Sequence, residues 1–338
     1  MNKKGIAVAG NVLVDIVKNI DSYPKIGMLS YISDISYAVG GCVPNVAIDL
    51  AKIDCNLPIS AIGRLGSDEN GQYVLSQLKS NGITTDMISF SDNTPTGFSD
   101  VMSLPGGERT FFHQKGTNAE FSPEDIDISS LGCDILHIGY ILLLDKFDEE
   151  DIEYGTVMAR FLHDVQKTGI KTSIDVVSDN SADYGKKIIP ALKYSDYVII
   201  NEIECCKIWN TEAYKADGSL DKETLISAMK KTVQAGIKEK LIVHSKETAF
   251  IMDAKTLDYL ELPSLLIPDS EIKGSVGAGD AFCAGSLYGL YNGFSDMEIL
   301  EFASSAAACN LFEANAVDGM KNKDGIIEVS EKYPRRKN

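Results

Sequence analysis

Short β-rich runs alternate with longer helical stretches almost from end to end of this 338-residue chain. That alternation is the pattern of an α/β protein built on a mainly parallel sheet. Strands are expected at 5–9, 59–63, 135–139, 172–176, 197–200 and 241–244, and helices at 44–52, 70–81, 150–168, 185–192, 221–236 and 279–291. Apolar positions in the helical stretches recur every three or four residues. In the last of them Phe282, Cys283, Leu287 and Leu290 share a broad apolar face, which should pack on the sheet. Two regions, 12–40 and 95–118, break the alternation with hairpin-like spacing and little helical period, and are expected to pair as a small β lid. With 44% hydrophobic residues and no linker-like tract, 1–338 reads as a single domain.

Charge and cysteine usage narrow the function classes. A formal net charge of -17 repels nucleic acid and anionic membrane surfaces, so neither is an expected partner, and a phosphorylated ligand must find local donors. Seven cysteines without CxxC spacing fit reduced thiols in a cytoplasmic protein. The greasiest run, 135–144, is far too short to span a bilayer. No GxxxxGK[ST] loop, GxGxxG turn or HExxH pair is present, which removes support for Walker-type ATPase, dinucleotide dehydrogenase and zinc protease readings.

The strongest chemical signal is GSVGAGDAF at 274–282. If Gly277, Ala278 and Gly279 open the helix, their N–H groups converge on one spot and the helix dipole adds roughly half a positive charge there. A phosphate is the natural occupant. Asp280, in the first turn, can receive a proton from an attacking hydroxyl, a role worth roughly 10²- to 10⁴-fold; the same carboxylate can equally be a plain helix cap. Gly40, Gly41, Cys42, Val43, Pro44 and Asn45 lie at the mouth of another helix, where Asn45 offers a polyol both donor and acceptor. The strand at 197–200 ends in Asn201, Glu202, Ile203 and Glu204, at the carboxyl end where α/β sheets bind ligands. Glu204 can hold Mg²⁺ there through water.

In chain order these pieces resemble the ribokinase-like, or phosphofructokinase B, carbohydrate kinase family. GG-x-x-x-N appears as Gly40, Gly41 and Asn45, and G-x-x-G-x-D-x-x-G as Gly63, Gly66, Asp68 and Gly71. GERTF is 107–111, N-x-x-E is Asn201 and Glu204, and GAGD is 277–280. The resemblance implies a three-layer α/β sandwich with a β lid and an ATP-dependent kinase acting on a hydroxymethyl group of a small polyol. It casts Asp280 as catalytic base, Gly277, Ala278 and Gly279 as anion hole, and Asn11, Asp15, Gly41, Cys42, Asn45 and Arg109 as substrate-binding residues. Asn201 and Glu204 fall at the family's Mg²⁺ and triphosphate positions, with Ser275 and Lys246 on the nucleotide side.

Some positions depart from the family. Gly274 and Ser275 stand where Asp-Thr is usual, which removes a carboxylate and leaves a monovalent cation open. His244, Ser245, Lys246 and Glu247 replace a Gly-rich nucleotide turn, where Lys246 can supply a point charge. Val43 and Pro44 replace a Gly and a small residue but leave Asn45 in register. A homodimer through the lid is one expected assembly, since strand edges are commonly paired. Two other readings stay open, a nucleoside kinase of the same fold and a degenerate protein that only binds a sugar or nucleotide.

Overall fold

The computed structural model describes residues 4–105, 108–178 and 183–337, so Gly107 of the GERTF segment lies outside the described residues. The chain runs β1 (Ile6–Gly10), β2 (Leu13–Ile20), β3 (Ile32–Gly40), α1 (Cys42–Ile53), β4 (Ile59–Gly66), α2 (Glu69–Ser80), β5 (Thr84–Ser91), β6 (Gly97–Ser103), β7 (Arg109–Gln114) and β8 (Ile135–Ile141). A short hairpin of β9 (Glu150–Asp151) and β10 (Gly155–Thr156) leads into α3 (Val157–Gln166), β11 (Lys171–Val176), α4 (Tyr184–Leu192), β12 (Tyr197–Asn201) and α5 (Glu202–Lys207). Then come α6 (Lys222–Gln234), β13 (Lys240–His244), β14 (Thr248–Asp253), β15 (Tyr259–Pro263), α7 (Ala278–Asn292), α8 (Asp296–Asn310) and α9 (Lys323–Lys332).

Among the described residues nine strands form one sheet in the order 15, 14, 13, 12, 11, 8, 1, 4, 5. All neighbours run parallel except β13 with β14 and β14 with β15. Successive residues of a strand face opposite sides of a sheet, and two cores follow from that. Ile6, Val8, Ile199 and Ile242 join α1, α2, α7, α8 and α9 on one side. Ala7, Ala9, Val198, Ile200, Leu241 and Val243 join α3, α4, α5 and α6 on the other. The result is the ribokinase-like three-layer α/β sandwich. A separate four-stranded sheet, in the order β3, β2, β6, β7, draws its strands from 12–40 and 95–118. Its two hairpins are joined by parallel pairing of β2 with β6.

Two expectations need correction. Residues 150–156 are not helical: they form the β9–β10 hairpin, with Gly155 at φ 88, and Thr156 then caps α3 by accepting the Ala159 N–H at 3.2 Å. The helical period read at 150–168 belongs to 157–166 alone. The helix after Gly277 is also not one-faced, since every residue from Asp280 to Gly289 is buried. Its outer side is covered by α8, and Gly285 makes that possible: a Cβ there would come within 2.8 Å of the Ala303 Cα. A helix enclosed on both sides has no polar stripe to reveal its orientation. Gly285→Val should therefore push α8 off α7 and cost about 1–3 kcal/mol, read as a lower urea midpoint of unfolding; an unchanged midpoint would contradict this close packing.

Candidate active site

Parallel strands deliver their carboxyl ends to one edge, and most of the polar residues singled out from sequence arrive there. Gly10 pairs with Gly139, and Asn201 with His244, so Asn11, Tyr140, Asn201 and His244 stand together at the strand ends. α7 enters the same edge with Gly277 as its N-cap in the left-handed region, φ 78. A Cβ at Gly277 would lie 2.5 Å from the Ala316 carbonyl oxygen, so glycine is required both by conformation and by space. The Ala278 N–H turns back to Ser275 O and the Ala281 N–H to Gly277 O. Neither the Gly279 nor the Asp280 N–H has such an acceptor among the described residues, and these two amides open onto the site.

Asp280 is buried at this terminus. Its Oδ2 accepts from Asn45 Nδ2 at 2.9 Å and its Oδ1 from the Tyr140 hydroxyl at 2.6 Å. Burial pushes its carboxyl up to about 7, against the two hydrogen bonds, which favour the ionised form. Such a group can take or hold a proton near neutral pH.

On the side of β1 and β2, Asn11 is fully buried and neither its Oδ1 nor its Nδ2 has a hydrogen-bond partner among the described residues; Asn45 Oδ1 is likewise unpartnered. Buried amide atoms are normally satisfied, so these side chains are available to a polar ligand. The paired glycines fix this arrangement. Gly41 has φ 88, and a Cβ on it would meet Asn11 O at 2.6 Å; one on Gly40 would meet Asp15 Oδ2 at 2.7 Å. Half-buried Asp15 is pushed up to about 6 by burial, partly offset by the nearby Arg109 guanidinium and a Ser99 hydrogen bond. Arg109 reaches across to donate to Ala314 O at 3.1 Å and lines a cavity of about 440 Å³ with Lys273, Gly274 and Ser275. Cys42 is wholly buried behind this loop.

Asn201 and Glu204 form a capping box at the start of α5: Asn201 Oδ1 accepts the Glu204 N–H at 2.8 Å, and Glu204 Oε2 accepts the Asn201 N–H at 2.9 Å. Glu204 Oε1 also accepts from Ser178 Oγ at 2.9 Å. Burial pushes the Glu204 carboxyl up to about 8. Glu204, Asn201, Asp175, Tyr140, Gly279 and Asp280 line one cavity of about 270 Å³. A larger one of about 560 Å³ lies beyond His244 and Gly279, with Lys246, Ser275 and Phe282 among its walls. His244 packs on Phe282 with ring centroids 4.7 Å apart, and burial lowers it to about 4, so it is neutral. Ser275 and Lys246 are exposed at the rim. Cys205 and Cys206 are buried, and Trp209 Nε1 donates to Thr232 Oγ1 at 2.8 Å, so these three pack the interior behind α5.

Sequence reading missed Tyr140, Asp175, Ser178 and His244 as members of this site. Tyr140 and Asp175 each sit at the carboxyl end of an expected strand, which is the available signal; their meeting with Asp280 depends on strand order, which no local pattern encodes.

A family model described as pfkB family carbohydrate kinase matches residues 3–323. A protein named Ribokinase from Arabidopsis thaliana is 25% identical over 330 residues, covering 96% of this chain and 80% of that one. A 5-dehydro-2-deoxygluconokinase from Geobacillus kaustophilus is 23% identical over 312 residues, covering 87% and 85%. The solved structure of Arabidopsis thaliana ribokinase complexed with ribose and ATP is similar with a TM-score of 0.79, at 21% identity, over 97% of this chain and 99% of that chain. Because the family match runs from the first strand to the start of the last helix, the chain belongs to the pfkB family of carbohydrate kinases and is a sugar kinase.

Proposed function

We propose that this kinase transfers the γ-phosphoryl group of ATP to a primary hydroxymethyl group of a sugar, with Asp280 as the general base. The observation that carries this reading is Asp280 itself: a carboxylate buried at a helix N-terminus, held by Tyr140 and Asn45, and ionising near neutral pH. On one side of it lie the unpartnered amide atoms of Asn11 and Asn45, with Asp15 and Gly41, which suit a polyol because each amide or carboxylate can serve a pair of hydroxyls. On the other side the 560 Å³ cavity has the size of a nucleotide site. The free amides of Gly279 and Asp280 then receive negative charge as it develops, the term that dominates many transfer reactions.

Mg²⁺ suits the all-oxygen donor set of Glu204, Asn201 and Ser178, and a buried carboxyl pushed up to about 8 gains from a cation beside it. When bound, Mg²⁺ neutralises oxygens of the β- and γ-phosphates. Glu204 and Asn201 position it, Lys246 and Ser275 stand at the nucleotide rim, and Asp280 removes the proton of the attacking hydroxyl. The four-stranded sheet acts as the lid, bringing Arg109 over the substrate and excluding water. Its outer face exposes Ile32, Ile35, Tyr37 and Phe112, which supports a homodimer joined through the lids.

ADP release with Mg-ATP over a panel of sugars, sugar acids and nucleosides tests the reaction, with a nucleoside-only response favouring the nucleoside kinase reading. Asp280→Asn should lower turnover by about 10²- to 10⁴-fold while substrate binding persists; full retention of rate removes Asp280 as base.

The base must be ionised, so kcat/KM should fall as pH drops below about 7. Tyr140→Phe deletes a hydrogen bond to the carboxylate and should move that acid limb to higher pH; a limb that stays put would separate Tyr140 from the titrating group. A raised carboxyl also weakens the fold as pH climbs from the ordinary aspartate value through 7. Asp280→Asn should thus stabilise the protein above pH 7 and have no such effect near pH 4, measured by urea unfolding at both.

For the lid, light scattering should give twice the mass of one chain, and Tyr37→Lys with Phe112→Asp should halve it. A mass of one chain for the unsubstituted protein would refute the dimer.

A further inference from the structure

Beside Asp280, four elements bring together buried sulfur, nitrogen and oxygen donors. Cys42 opens α1, His137 lies within β8, Asp175 is near the end of β11 and Cys283 is in the second turn of α7. All four are more than nine-tenths buried. Cys42 Sγ, a ring nitrogen of His137 and a carboxylate oxygen of Asp175 lie within 4.8 Å of one another. His137 Nε2 is 3.5 Å from Asp175 Oδ2 and 3.6 Å from Cys283 Sγ.

These spacings decide between two kinds of contact. An N–H···O hydrogen bond has its heavy atoms about 2.7–3.2 Å apart, so 3.5 Å is long for a simple His–Asp pair. Tetrahedral Zn²⁺, with nitrogen and oxygen ligands at about 2.0–2.2 Å and sulfur at about 2.3 Å, separates its donors by roughly 3.3–3.8 Å. The His137–Asp175 contact falls in that interval, while the 3.6 Å contact to Cys283 is an ordinary sulfur hydrogen bond. Its other nitrogen, Nδ1, is 3.0 Å from buried Ser173 Oγ. When Nδ1–H donates to that hydroxyl, the Nε2 lone pair faces Asp175 and Cys283, the usual way a metal-binding imidazole is oriented.

Two further observations point to a missing ligand. Asp175 Oδ1 is buried and has no hydrogen-bond partner among the described residues. Gly139 is the reason Asp175 and Cys42 can close on each other: a Cβ there would come within 2.1 Å of Asp175 Oδ1 and 2.6 Å of Cys42 Sγ. An entry route exists as well, because Asp175 and Cys283 line the 270 Å³ cavity that also holds Asp280.

We propose that Cys42, His137 and Asp175 form a binding site for a thiophilic divalent cation, with Zn²⁺ the best match and solvent from the adjoining cavity as its fourth ligand. The Cys42 thiol gives up its proton to solvent on binding, and the set offers one sulfur, one nitrogen and one oxygen, which favours Zn²⁺ over Mg²⁺. The ion ties the start of α1, which carries Asn45, to β8 and β11 of the sheet.

The test uses the full chain stripped of metal with a chelator and titrated with Co²⁺ alone, a coloured stand-in for Zn²⁺. One Co²⁺ per chain should bind, with a thiolate-to-metal charge-transfer band and the strong visible absorption of a tetrahedral ion. One equivalent of Zn²⁺ should bleach both, and excess Mg²⁺ should change neither. Cys42→Ser should weaken binding by about tenfold or more and abolish the charge-transfer band, while Cys55→Ser, at an exposed position, leaves it intact. Should a serine variant fail to fold, Cd²⁺ titration of the unsubstituted protein reads the same thiolate ligation in the ultraviolet. A weak octahedral Co²⁺ spectrum without charge transfer, no Cd²⁺–thiolate absorbance, or bands that survive loss of Cys42 would overturn the site. None of these readouts depends on turnover, so the site and the kinase reading fail separately.

Discussion

The burial of the Asp280 carboxyl is the constraint around which the rest of the structure is arranged. An isolated charge in such a place is costly, and the chain meets that cost with donors from two distant segments, Asn45 from α1 and Tyr140 from the end of β8. Each donor must in turn be held. α1 starts where it does because Gly41 takes a left-handed conformation close to Asn11, and β8 sits beside β1 in the middle of the sheet, with α7 enclosed above it by α8. A buried carboxyl that ionises near neutrality is thus a property of the whole sandwich.

The parallel sheet supplies the other half of that arrangement. Because β1, β8, β11, β12 and β13 all run the same way, short-range sequence choices at five separate strand ends accumulate at one edge. The reversal at β14 and β15 ends that series of parallel strands just beyond His244. The two cavities that meet at His244 and Gly279 lie where it stops.

What the sequence shows of this is mostly local. The alternation of strand and helix, the glycine pairs and the helix-opening Gly277, Ala278, Gly279 and Asp280 are legible because each depends on residues a few positions apart. The hairpin at 150–156 was hidden by apolar spacing shared with the helix that follows, and the turn-making Gly155 with Thr156 was the available clue. The partners of Asp280 were legible only in part. Asn45 belongs to a recognisable turn, whereas Tyr140 closes an apolar run whose pattern speaks of burial and says nothing of a hydroxyl aimed at a residue 140 positions away. His137 and Asp175 escaped for the same reason, since strand order across the sheet brings them together.

Glu204 serves two structures at once. The carboxylate that lines the central cavity also completes the capping box of α5. Its two oxygens are divided between the Asn201 N–H and the Ser178 hydroxyl, so one side chain holds both the helix start and the loop after β11. The first turn of α5 leads directly into Cys205 and Cys206, packed in the core on the far side of the sheet. The strand ends are therefore joined to that layer of the sandwich through a helix only six residues long.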